Sequence, residues 1–290
     1  MKPNVHTTVK DLLYQKLVKI ETETKADVFS YIGTITDGNE GAIISIIEEL
    51  AKEKNKKERL IVILTTPGGS AFAVERYVNI IRQYYTIVDF VIPDYAYSAG
   101  TIFCMSGDNI YMDYSSVLGP IDPQVQNKEG KWVAALGYLD KVNEAIAKSK
   151  KGELTEAEFL MIKDLDLAEL RSYEQAKELT NVLLKEWLVK YKFKNWNTHQ
   201  TTPALKGQAV TQKEKEERAE EIANKLNDNT VWKSHGRPIN IQSLKNMGLQ
   251  IEDFSKKEPF RKLVRDYYDL LSDYVISNNM PIFVQTRKFV

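Results

Sequence analysis

Residues 60–70 read Leu-Ile-Val-Ile-Leu-Thr-Thr-Pro-Gly-Gly-Ser, an unbroken apolar run that stops at a proline and two glycines. A continuous β-rich run of this kind predicts a parallel strand covered on both faces. Residues 71–85 follow with the apolar spacing of an amphipathic helix. The pattern then repeats. Residues 86–92 (TIVDFVI) are strand-like, Pro93 breaks them, and Tyr97-Ser98-Ala99-Gly100-Thr101 stands where another helix could begin. Working outward, residues 28–35 (VFSYIGTI) predict an earlier strand, 40–54 a helix and 109–112 (NIYM) a further strand. Strand and helix alternating in units of about thirty residues indicate βαβ crossovers and a parallel sheet. Both the glycine turn and the serine fall at the carboxyl ends of strands, the edge where open α/β sheets bind ligands.

The residue types at that edge suggest acyl transfer. Ser98 offers a hydroxyl nucleophile beside Ala99 and Gly100, which leave room for a substrate carbonyl. The backbone N–H of Ala99 would point where the hydroxyl points, and a helix starting there directs its positive end at a developing oxyanion. Gly68 or Gly69 could supply a second backbone donor. Each residue also has a purely local role open to it: serine caps helices, and glycines make turns. A serine nucleophile further needs a proton acceptor. Of three histidines, His6 lies near the terminus and His199 in a polar stretch, which leaves His235 in the turn-rich segment 232–238 (WKSHGRP). Lys141, on a segment with an apolar face, is the alternative, because desolvation can turn a lysine into a base. Cys104 sits in an apolar segment and reads as a small buried hydrophobe. Asp108, Asp113 and Asp122 are scattered with no histidine beside them, so no metal site and no cofactor are expected.

Past Gly119-Pro120-Ile121-Asp122-Pro123 the texture changes. Residues 134–150 and 155–191 are charged and helical in period, with a candidate cap at Thr155. Residues 194–212 are polar and aperiodic, predicting a long loop or a mobile flap. Helices are expected at 213–226, 240–247 and 259–276, then an extended tail over 281–290. The expected organisation is an N-terminal extension (1–25), one main domain (26–255, with a helical insertion at about 134–226) and a C-terminal helix and tail (256–290).

Forty basic and forty acidic residues cancel, which removes a global field for nucleic acid or an anionic membrane. A single cysteine leaves no internal disulfide and fits a reducing compartment. With neither a signal-peptide core nor an apolar run of membrane-spanning length, the expectation is a cytoplasmic protein.

The blocks TTPGGSAFAVE (65–75), VIPDYAYSAGTIFCMSGDNIYMDYSSVLGPIDPQV (91–125) and WKSHGRPINIQSLKNMGLQI (232–251) together resemble the Clp/crotonase fold. Within it the chain is most similar to the serine dehydrogenase proteinases, relatives of signal peptide peptidase A. The resemblance implies an α/β fold, a Clp/crotonase-like ββα superhelix with a parallel sheet plus the helical insertion and C-terminal helix. It implies a serine peptidase acting on peptide or protein substrates, Ser98 as nucleophile, and Gly68 or Gly69 with Ala99 as oxyanion donors. It also implies a homo-oligomer. Clp proteases place a catalytic histidine in the stretch corresponding to 116–123, which here reads SVLGPIDP and contains none. Signal-peptide-peptidase relatives use a Ser-Lys dyad instead, and Lys141 falls in the matching window, with Lys148, Lys150 and Lys151 nearby. Clp-type chains bring their triad aspartate from the part of the sequence that holds His235, so His235 could orient a base or be the base; of the two, Lys141 is the favoured base, with His235 next to the site. Two other readings share the fold: a non-catalytic assembly or adaptor subunit, and a crotonase-type acyl-CoA enzyme.

Overall fold

The computed structural model describes residues 5–126, 130, 132–163 and 165–289. Residues 1–4 of the expected extension, residues 127–129 and 131, residue 164 of the expected insertion and Val290 of the tail lie outside the described residues.

The first half alternates as the apolar periods require: α1 (Val5–Thr24), β1 (Asp27–Gly33), α2 (Glu40–Ala51), β2 (Arg59–Thr65), α3 (Ala71–Tyr84), β3 (Ile87–Ile92), β4 (Tyr95–Ala96), α4 (Ala99–Met105), β5 (Asn109–Met112) and β6 (Val117–Leu118). A hairpin, β7 (Gln124–Gln126) and β8 (Trp132–Ala134), leads into α5 (Ala135–Lys151), α6 (Glu156–Ile162) and α7 (Leu167–Trp187). Then come α8 (Gln212–Leu226), α9 (Asn229–Trp232), α10 (Ile241–Asn246), β9 (Glu252–Asp253), α11 (Phe260–Ser277) and β10 (Ile282–Gln285). The main sheet has the order β10-β1-β2-β3-β5-β9 and is parallel except for β10, which runs antiparallel to β1.

Side chains of the central strand sort by the two-residue period. Leu60, Val62 and Leu64 of β2 enter one core with Ile47 of α2, Val74 of α3, Phe103 of α4 and Leu184 of α7. Ile61 and Ile63 enter the other, against Leu13 and Leu17 of α1 and Val264 and Leu271 of α11. Each such fully buried side chain contributes about 1.5–3 kcal/mol relative to exposure. The result is helix, sheet, helix in three layers.

A second, narrow ledge of strand pairing runs along the carboxyl edge of this sheet and positions the site. Ile35 pairs with Gly69, Thr66 with Ala96, β4 with β6, and Leu118 with Ile239. After β1, β2 and β3 the chain therefore makes one short rung before entering its helix, which is the ββα turn that the resemblance implies.

Three segments go beyond their sequence reading. The N-terminal extension is a packed helix: α1 buries Leu13, Leu17 and Ile20 completely, and His6 in its first turn meets Tyr274 ring edge to face. The tail pairs with β1, and Arg287 just beyond it is clamped between Glu21 (2.8 Å) and Asp27 (2.7 Å). Residues 194–212 are the long loop of the two expected alternatives, up to the start of α8, and the loop pairs with itself. Thr198 pairs with Ala209, a 3-10 turn spans Pro203–Leu205, and His199 is buried with its Nε2 3.1 Å from Glu214. Aperiodic sequence hid this packing because the loop closes on its own backbone, as in Gly207 N–H to His199 O at 2.9 Å. No helix among the described residues is long and apolar enough to cross a membrane.

Candidate active site

Two serines occupy helix N-cap positions on adjacent rungs of the ledge, and only one of them caps. Ser70 has extended backbone (φ −77°, ψ 121°), and its hydroxyl accepts the Ala73 N–H at the start of α3. Ser98 precedes α4 with φ 52° and ψ −117° and makes no capping hydrogen bond. A non-glycine residue held at positive φ stores roughly 1–3 kcal/mol of strain and persists only where its surroundings enforce it. Here the Tyr97 N–H donates to Thr66 O (3.0 Å), the Gly100 N–H to Tyr97 O (2.8 Å) and the Ile102 N–H to Ser98 O (3.1 Å). The Thr101 hydroxyl lies 2.9 Å from the carbonyl oxygens of both Ala96 and Gly119, and accepts the Gly119 N–H at 3.0 Å. Ser98 is half-buried, and its hydroxyl has no hydrogen-bond partner among the described residues.

The glycine turn abuts this serine. A Cβ on Gly68 would come within 2.8 Å of Ser98 Cβ and of Tyr97 O, and Gly68 itself has φ 107°. The two glycine N–H groups are not equivalent. That of Gly68 donates to Thr66 Oγ1 at 3.0 Å. That of Gly69 has no partner among the described residues, and neither does the Ala99 N–H at the first turn of α4. Two open backbone donors thus flank an uncommitted hydroxyl, the arrangement that can hold a developing oxyanion.

Asp122 and His235 meet across the next rung. Leu118 and Ile239 pair antiparallel, so residues equally far beyond and before them face each other. Asp122 follows Leu118 by four and His235 precedes Ile239 by four. His235 Nδ1 lies 2.7 Å from Asp122 Oδ1, with the carboxylate almost fully buried and the imidazole 22% exposed. Nε2 has no partner among the described residues. The turn carrying the histidine is anchored by Trp232, whose indole N–H donates to Lys225 O at 2.7 Å, and by Lys233 in the left-handed region at φ 63°. Asp122 was expected to lack a histidine neighbour, because its partner lies far along the chain. A carboxylate thus occupies the stretch where the resemblance leads one to look for a histidine.

Lys141 is 77% exposed on α5 and salt-bridged to Glu144 at 2.8 Å. It lines a cavity of about 490 Å³ with Tyr138, Lys148, Met161 and Leu165, whose lining does not include Ser98. Lys148 bridges Glu144 (3.1 Å) and Glu158 (2.5 Å), and Lys150 and Lys151 end the same helix, exposed. Cys104 is fully buried in α4, and burial pushes its thiol pKa far above the ordinary range, as suits a packing residue.

Residues 27–204 match the family described as ClpP-like SDH-type serine proteinase. Among curated proteins, the uncharacterized protein MJ1495 of Methanocaldococcus jannaschii is 28% identical over 213 residues, which cover 73% of this chain and 56% of that protein. MJ0137 of the same organism is 34% identical over 98 residues, 34% of this chain and 32% of that protein. The chain thus spans only about half of the first relative and a third of the second. Two mutant structures of the 1510-N membrane-bound stomatin-specific protease align with a TM-score of 0.31 each. The one in complex with a substrate peptide is 26% identical, covering 48% of this chain and 65% of its own. The other is 22% identical, covering 53% and 82%.

Proposed function

The chain belongs to the ClpP-like SDH-type serine proteinases, and from that premise we propose that it is a serine endopeptidase acting on extended peptide segments through a Ser98 acyl-enzyme. The observation that carries this reading is the strained, non-capping Ser98 set between two open backbone donors. Ser98 Oγ attacks the scissile carbonyl, and His235 Nε2 takes its proton. Asp122 holds the Nδ1 side of the ring, fixing the tautomer that leaves Nε2 free to accept, and stabilises the imidazolium that forms. The N–H groups of Gly69 and Ala99 receive the oxyanion. The imidazolium then protonates the leaving amine, and water, activated by the same nitrogen, releases the acid.

We place the base at His235 rather than Lys141. The lysine would have to leave Glu144 and the solvent to serve, whereas the histidine is already oriented by a buried carboxylate. In this reading acid and base have exchanged places along the chain relative to Clp proteases. The aspartate follows the serine closely, and the histidine comes from the later segment.

A fluorophosphonate probe tests the assignment. Wild-type protein should be labelled and Ser98→Ala should not, with both giving the same circular dichroism spectrum. Labelling that survives the substitution, or a wild-type protein that neither labels nor cleaves a peptide library, overturns it; the latter result is the one an adaptor subunit would give.

A further inference from the structure

A polar cavity of about 730 Å³ lies at the other end of the main sheet, where β5 begins. Its walls include Asn109, Lys192, Trp196, Thr198, His199 and Arg218, and its size is that of a small-molecule site. Most of the charge around it is already compensated. Asp108 is held by Arg82 (2.9 Å), by Lys194 and by the Val88 N–H (2.8 Å). Glu214 closes the capping box of α8 and meets His199, Glu221 binds Arg218 and Lys225, and Glu217 lies 3.6 Å from Lys213.

Lys192 is the exception. It ends the π-helical turn Leu188–Lys192, which continues α7, and its ammonium has no carboxylate within ion-pair distance among the described residues. Its one hydrogen bond is a long one, 3.3 Å to the carbonyl oxygen of Asp108. A half-buried ammonium with spare donors is stabilised where something anionic meets it. We propose that this cavity is a binding site for a small ligand bearing an oxyanion, a carboxylate or a sulfuryl or phosphoryl group, which Lys192 Nζ holds. Neutral donors on the same walls suit the polar remainder of such a ligand: Thr198, and Asn109, whose amide nitrogen already gives one hydrogen bond to Asp89 at 2.8 Å. The site is separate from the catalytic edge: α4 begins after Ser98 and ends toward Asp108, so the two lie at opposite ends of one helix.

The charge state of Lys192 gives the test a sign. Burial lowers its pKa to about 8, while Asp89, Glu252, Asp108 and Cys104 oppose the shift; Arg82 and Lys194, which also bind Asp108, add positive charge nearby. The amine is therefore charged below this value and loses its charge as the pH rises through it. Titration calorimetry with sulfate and with acetate, whose own charges are constant from about pH 7 to about pH 9.5, reads this directly. Saturable binding is expected at the lower pH, roughly 30-fold weaker at the higher pH, and at least about tenfold weaker in Lys192→Met. Tighter acetate identifies a carboxylate ligand, and tighter sulfate a sulfuryl or phosphoryl one. No saturable binding of either anion, or equal affinity at both pH values, overturns the proposal. So does full affinity in a folded Lys192→Met; should that variant fail to fold, the wild-type pH dependence decides. Ser98→Ala should bind both anions as wild type does, so this outcome stands apart from that of the peptidase assignment.

Discussion

Ser70 and Ser98 share a residue type, a position before a helix and neighbouring rungs of one ledge, yet they are held in different ways. Ser70 spends its hydroxyl on the backbone of α3 and on Asp37 (2.8 Å), and keeps relaxed dihedrals. Ser98 spends its hydroxyl on nothing among the described residues, and is held at positive φ by the hydrogen bonds of its neighbours. The difference separates a serine that stabilises a helix from one whose hydroxyl is left uncommitted, as the proposed nucleophile requires. Sequence preference alone cannot separate them, because capping propensity is the same for both.

The comparison breaks most easily at Ser98. Ser98→Ala should abolish peptide hydrolysis and probe labelling while the melting temperature hardly moves, since no hydrogen bond of that hydroxyl is lost. A next, smaller effect is expected at the acid. Asp122→Asn retains the shape of the contact but can hold the wrong tautomer of His235, a change that costs about 10⁴-fold in turnover in serine-protease triads. Steady-state kinetics should show the loss in kcat rather than KM, and adding it to Ser98→Ala should cost nothing more. Ser70→Ala should behave oppositely to Ser98→Ala. It should lose about 1 kcal/mol of stability in urea unfolding, the usual worth of a cap, with kcat/KM unchanged. Smallest of all, Lys141→Met should leave both stability and hydrolysis close to wild type, because an exposed ion pair contributes little. Loss of hydrolysis there would return the base to the lysine.

What could be read from the residues follows from how local each signal is. The parallel sheet was legible because the run over 60–64 and its neighbours carry their period within a few residues. The serine and the glycine turn were legible as a pair for the same reason, whereas the choice between Gly68 and Gly69 was not. It depends on which N–H the Thr66 hydroxyl engages, a matter of side-chain direction. The Asp122–His235 contact was out of reach because it exists only through the pairing of Leu118 with Ile239. Lys192, within Tyr-Lys-Phe-Lys, looks like part of a solvated helix end, and only the structure shows it half-buried on the wall of a polar cavity. Likewise the tail's affinity for β1 leaves no trace in either segment alone.

The Asp122–His235 hydrogen bond joins residues separated by 113 positions, and the whole of α5 to α8 lies within the loop it closes. Ser98 and the two open donors beside it, by contrast, all come from the chain before residue 100. In the proposed mechanism a chain emerging in order therefore carries its oxyanion half first, and its base only after the helical insertion has returned the chain to the ledge. Until then the proposed nucleophile stands without the proposed base.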